Sequence, residues 1–356
     1  MKKEKLWCLI LLGFSVAILA ILAVPTIIID PYFHYHEPLE QFQYPLNKED
    51  QRYLNDGIIR NYEYDAMIIG SSMTENFKAS QLNDLFGVNS VKVCYMGDTF
   101  YQTRMNVEKA IEEQGQIKMV VTSLDITRLT DASDYLREDM GDYPDFLYDN
   151  NPFNDVEYVL NKEVLLEKTY NVLGYTSAGK ITTTFDEYCN EARYMEYSRS
   201  AVLNSYDRME KREPDLEAQV LQQANVAPNI SENIVALAQA NPEVEFYLFF
   251  PPYSICYWDD LDKYSALEWQ IDNMQIATEL LLECENVHVY SFFDEHEMIC
   301  NLDNYKDIAH YSEDINVQIL DWMANEEHLL TKENYEEYYA DMKEFYGNYD
   351  FDSIFE

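Results

Sequence analysis

Basic residues are scarce: 25 Lys and Arg stand against 65 Asp and Glu, for a net charge of −40 over 356 residues. Binding nucleic acid needs a positive footprint for the phosphates, so that shortage excludes it. Paired-cysteine motifs are also missing. Of six cysteines, Cys8 sits in an apolar N-terminal run, and Cys94, Cys189, Cys256, Cys284 and Cys300 are scattered without C-x-x-C or zinc spacing. Five thiols outside the run leave at least one unpaired, and a Cys284–Cys300 bridge and buried free thiols are both compatible with the spacing. His34, His36, His288 and His296 lack a metal-ligand context, with His34-Tyr35-His36 read as a polar surface pair. No metal and no cofactor is expected. No repeat of fixed period is present, which excludes a repeat array.

What is abundant bounds the fold. A hydrophobic share of 47% suffices for one large core, or one core with an inserted lobe. Thirty tyrosines fit sugar contact and amphipathic surface roles alike, because each ring offers an apolar face and a hydroxyl. Residues Leu6 to Ile29 form an uncharged run of 24. As a helix it rises about 36 Å, against a hydrocarbon core of about 30 Å, so it can span with some tilt. Lys2, Lys3 and Lys5 precede it and Asp30 follows. The positive-inside bias then predicts a cytoplasmic N-terminus and about 327 residues outside, carrying a net charge of about −42. A cleaved signal peptide shares the lysine-rich start, but its apolar core is usually about 7–15 residues, and no A-x-A site follows here. Residues 1–29 are therefore read as a retained single-pass anchor.

Residues 30–63 hold Pro31, Pro38 and Pro45 without clear periodicity and read as an irregular arm. From 64 the pattern changes. Ala66-Met-Ile-Ile-Gly70 is a buried strand, Val91 to Cys94 a second, residues 100–114 a helix, and Ile117 to Leu124 a third strand. Strand, helix, strand predicts a parallel sheet covered by helices. Residues 128–228 are acidic and rich in Tyr and Asn, and read as an insertion between core strands. Alternation resumes with a helix over 230–240, a strand over 245–250 stopped by Pro251-Pro252, a helix through Leu267, Ile271, Met274, Thr278 and Leu281, a strand over 287–291 and a helix over 313–324. The domain is read as 64–325, and 326–356 as an acidic C-terminal helix or tail.

Ligands of open parallel sheets bind beyond the carboxyl ends of the strands. After the first strand stands Gly70-Ser71-Ser72-Met73-Thr74-Glu75-Asn76. A serine at such a turn can sit where backbone amides stabilise a developing oxyanion, or it can simply cap an ordinary loop. Near the C-terminus comes Asp307-Ile308-Ala309-His310-Tyr311, in which the carboxylate can orient the imidazole and the imidazole can accept a serine proton.

Gly70-Ser71-Ser72 after the first strand, Gly97 after the second and Asp307-x-x-His310 together resemble the SGNH/GDSL hydrolases. The anchor and Ile68 to Asn76 are similar to the anchored cell-envelope members, which include the teichoic acid D-alanine transfer protein and the alginate and peptidoglycan O-acetylation proteins. The resemblance covers about 64–125 and 244–325. It implies an α/β three-layer sandwich with a central parallel sheet, an N-terminal transmembrane helix and a mid-chain insertion. It implies Ser72 as nucleophile, His310 as base and Asp307 as its orienter, with the Ser72 and Gly97 amides as oxyanion donors. Asp125, Asn76 and Tyr311 are the candidate substrate-binding residues of these loops, with Asp125 equally open as a structural cap or a poor substitute for the asparagine of the third block. Two departures stand out. Ser71 replaces the usual Asp, and the third block reads Ser123-Leu124-Asp125 without the asparagine whose side chain donates to the oxyanion, a contact worth about 2.7–4 kcal/mol.

The function this implies is an extracytoplasmic serine esterase or O-acyltransferase. Its expected partners are a cell-envelope polysaccharide or teichoic-acid-type polymer, or an acylated carrier, and a membrane acyl exporter. Acetyl and D-alanyl are the candidate acyl groups. A non-catalytic anchored binding module, or a scaffold of a polysaccharide-assembly complex, is the alternative from another class.

Overall fold

The computed structural model describes residues 2–137, 139, 143–149 and 151–356. The chain divides into two units, residues 1–63 with 141–184, and residues 64–140 with 185–356.

The first unit is built on α1, Lys2–Ile29. It is the one helix among the described residues long and apolar enough to cross a membrane. Its residues up to Val24 are largely exposed, whereas Thr26 and Ile29 are buried by their own unit. The arm is not irregular throughout, as its sequence suggests. Helix α2, Gln51–Asn61, buries Leu54, Ile58 and Ile59. Three prolines upstream of it mask this short amphipathic pattern. The segment 141–184, part of the stretch read as an insertion between core strands, belongs to this first unit.

The second unit contains a six-stranded sheet: β1 Ala66–Gly70, β2 Ser90–Cys94, β3 Met119–Ser123, β4 Glu245–Phe250, β5 Val287–Ser291 and β6 Leu329–Leu330. Their order is β2-β1-β3-β4-β5-β6. All pairs are parallel except β5 with β6. β1, β2 and β3 are buried along their whole length; β1 and β3 accordingly read as apolar or β-branched runs, whereas β2 carries Lys92 at its centre. From β1 to β2 the chain steps one way along the sheet; every later parallel step goes the other way. Right-handed crossovers then put α3, Ala79–Phe86, on one face and α4, Phe100–Gln114, on the other. Packing agrees. α3 lies against Glu313–Ala324, while Leu267–Leu281 lies against the helical stretch of 226–240 and against Tyr335–Gly347.

That last helix, within the stretch read as an acidic C-terminal helix or tail, buries one side in the core. Tyr339, Met342 and Tyr346 are buried, the Tyr346 ring stacks on Trp258 with centroids 4.2 Å apart, and its hydroxyl donates to the Phe293 carbonyl. Tyrosine abundance is accordingly a core property as much as a surface one: twelve of the largest fully buried side chains include ten tyrosines. All six cysteines are free, so the Cys284–Cys300 bridge that the spacing permits is not formed.

Candidate active site

The reversal of direction between β1 and β3 makes a switch point, the place where the loops on either side diverge and leave a crevice. Gly70 ends β1 with φ +134°, a conformation that disfavours any side chain. This lets the chain leave the strand abruptly into Ser71 and the short 3-10 turn Ser72–Thr74. The Ser71 hydroxyl accepts from the Met73 amide at 3.3 Å, and the Thr74 hydroxyl donates back to the Ser71 carbonyl at 2.9 Å. A residue without an obvious sequence signal completes the turn. Lys92, fully buried in β2, donates from Nζ to the carbonyls of Glu75 and Phe77 at 2.7 and 3.1 Å. Burial holds its pKa below the usual lysine range.

The His310 loop is equally constrained. An antiparallel bridge joins Tyr305 to Tyr311, and the Lys306 amide donates to the His310 carbonyl at 3.0 Å. Asp307 Oδ1 accepts from the Ala309 and His310 amides at 2.9 and 2.8 Å. That Asx turn is the reason a spacing of three works here: it folds the chain back so that the ring reaches its own carboxylate. His310 Nδ1 is 2.9 Å from Asp307 Oδ2. Because a carboxylate only accepts, Nδ1 carries the proton and Nε2 is the acceptor. Nε2 lies 2.9 Å from Ser72 Oγ, which donates to it. Burial raises the Asp307 pKa, but the hydrogen bonds and charge of His310 and the two backbone amides outweigh it and bring the group down to about 2.

Gly97, after β2, has φ +70°, and the Arg137 guanidinium lies directly against its Cα. Neither the Ser72 nor the Gly97 amide donates to any acceptor among the described residues. Asp125 is committed elsewhere. Its Oδ1 accepts from the Thr127 amide, the Thr127 hydroxyl and the Tyr253 hydroxyl at 3.0, 2.7 and 2.8 Å. Its Oδ2 is 3.5 Å from Ser71 Oγ, at the outer limit of a hydrogen bond. It therefore caps the turn Ile126–Arg128 and braces the loops, the structural-cap alternative open to it in the sequence. The reading of Tyr311 as a substrate contact is corrected: it is buried, and its hydroxyl donates to the Met73 carbonyl at 3.3 Å, tying the His310 loop to the Ser72 turn. Asn76 is half-buried in the turn before α3 and makes no bond to Ser72, Asp307 or His310 among the described residues.

Tyr253 and Ser254 were not singled out from the sequence. Ser254 Oγ donates to the Ile308 carbonyl at 2.8 Å, and Tyr305 donates to the Pro252 carbonyl at 2.9 Å, so the loop after β4 carries the His310 loop. Their signal in the sequence is their position directly after the β4 strand, where Pro251-Pro252 ends it. Arg137 sits within the acidic insertion, where nothing local marks it.

The second unit is thus an α/β protein with a serine, a histidine and an aspartate hydrogen-bonded in series at the switch point of a mostly parallel sheet. Such a series can move the serine proton to the imidazole while the carboxylate supports the resulting charge. Compared with models of protein families, with curated proteins and with solved structures, the chain has no significant match.

Proposed function

We propose that this protein is a membrane-anchored serine acyl-esterase or O-acyltransferase of SGNH type. The observation that carries the reading is the Ser72 to His310 contact of 2.9 Å, backed by Asp307 on the other ring nitrogen. Ser72 Oγ attacks the carbonyl carbon of an acyl ester as its proton passes to Nε2. The free Ser72 and Gly97 amides are the donors for the oxyanion, and the imidazolium returns the proton to the leaving alcohol. The serine ester then passes its acyl group to a sugar hydroxyl or to water. Exclusion of water from the closed site favours transfer.

Lysines before α1 and acid after it support an extracytoplasmic domain. The substrate class that follows is an O-acylated or acylatable cell-envelope glycan or teichoic-acid-type polymer, with acetyl or D-alanyl as the acyl group and a membrane acyl exporter as the donor's source. One observation favours a second reading, an inactive anchored binding or scaffold protein: where the third block of the family ends in a side-chain donor, this chain has Asp125, an acceptor already in use. Labelling with a fluorophosphonate separates the two. The intact protein should be labelled at Ser72 and Ser72→Ala should not. An unlabelled intact protein leaves the binding module as the better account.

A further inference from the structure

The first unit carries an apolar surface that this chemistry does not use. Phe153 is 90% exposed, Ile181 72%, Tyr170 58% and Leu166 52%, with Leu173 exposed beside them. Leu166, Tyr170 and Leu173 fall at i, i+4 and i+7 along the π turn Val164–Lys168 and the helix Thr169–Ser177, so they form one stripe. The opposite side of the same stretch, Val164, Thr169 and Val172, is buried. It faces the anchor. Thr169 Oγ1 meets Thr26 Oγ1 at 3.3 Å, and Val156–Val159, Val164–Lys168 and Thr169–Ser177 all pack on α1.

The length of α1 sets the depth of that contact. Its uncharged run outreaches the hydrocarbon core by about 6 Å, or one helical turn. Thr26 to Ile29, the turn that receives the segment, is then at headgroup level. Composition points the same way. Residues Thr169 to Thr184 contain no Asp or Glu, where the average for this chain would give about three, and Lys180 is their only charged residue. From Thr169 on, exposed apolar side chains and tyrosine beside a membrane helix, free of acid, suit the boundary between headgroups and acyl chains, while Leu166 stands between the exposed Glu163 and Glu167.

We infer that the stripe Leu166, Tyr170 and Leu173, with Phe153 and Ile181, is a second membrane contact that lies in the interface of the bilayer crossed by α1. This rests on the anchored reading and not on the acyl chemistry. It gives the first unit a fixed depth on the lipid surface, which a single helix on an exposed linker would not.

The test uses the full chain in phosphatidylcholine–phosphatidylglycerol nanodiscs, in a Cys8→Ser, Cys300→Ser background that leaves only buried thiols. Spin labels are placed singly through Leu173→Cys and Ile181→Cys, and through Leu12→Cys in the middle of the anchor as the lipid reference. All three sites are exposed, so the labels replace no core side chain. Collision with oxygen should exceed collision with a water-soluble nickel chelate at Leu173 and Ile181, as at Leu12. Nickel-dominated collision at both sites, with Leu12 lipid-like, overturns this inference alone. Loss of the full-length chain from the nanodisc overturns the anchor together with it.

Discussion

Replacing Asp307 with Asn keeps the shape of the side chain and one oxygen for the Ala309 and His310 amides, but removes the charge that the imidazole faces. Two effects follow, and they are separable. The first is on stability. The carboxyl is held at about 2 in the folded protein, against about 3.9 unfolded, and two units correspond to about 2.7 kcal/mol. With the side chain 32% exposed, screening reduces this to about 1–2 kcal/mol. A folded pKa below the unfolded one means stability that is complete above about pH 4 and is lost as pH falls from about 4 to 2. Asp307→Asn should therefore melt roughly 2–8 °C lower at pH 7, and the difference should shrink toward pH 2. The second effect is on chemistry. Asparagine in the orienting position lets the wrong ring tautomer form, at a cost of roughly 10⁴-fold in serine hydrolases. Fluorophosphonate labelling of Ser72, followed as a second-order rate beside thermal melting across pH, reads both. A labelling rate within about threefold of wild type would refute the role of the carboxylate, because about 0.7 kcal/mol is too little for an imidazolium partner.

His310→Ala should abolish labelling while lowering the melting temperature by no more than about 2 °C, since its ring is partly exposed and fills no core; a labelled variant would remove His310 from the chemistry. Gly97→Ala should cost about 1–2 kcal/mol by melting, because φ +70° strains an alanine, and adding Arg137→Ala should recover little of it; a wild-type melting temperature would contradict the backbone account. Cys94 and Cys256 should resist thiol reagents in the folded protein, burial having pushed Cys256 up to about 12 and Cys94 up as well; rapid modification of either would count against this. A reporter that works only outside the cytoplasm, fused after Glu356, should be active, and activity of a cytoplasm-only reporter would reverse the proposed orientation.

Much of this protein was legible because it depends on local pattern. The long apolar N-terminal helix needs only a long uncharged run. β1 and β3 are buried along their whole length and β4 and β5 over most of theirs, so they appear as largely apolar stretches of the right length, and Asp307-x-x-His310 is close in sequence because an Asx turn makes both its ends meet. Parallel strands also send their following loops to one edge, so Ser72 and His310 could be expected near each other from topology alone.

What required the tertiary structure is whatever depends on a partner distant in the chain. Lys92 reads as an outlier in a strand until the carbonyls of Glu75 and Phe77 are seen around its ammonium. Asp125 and Tyr311 look available in sequence, yet Thr127 and Tyr253 occupy Asp125 Oδ1 and the Tyr311 hydroxyl is spent on the Met73 carbonyl. The C-terminal helix looks like a solvated tail because its acids dominate its composition, while a single stripe of tyrosine and methionine buries it on Leu267–Leu281. Segment 141–184 joins the anchor's unit through side-chain contacts with residues more than a hundred positions earlier, such as Tyr158 with Asp30. Periodicity reports which face of an element is apolar; only packing decides which element that face meets.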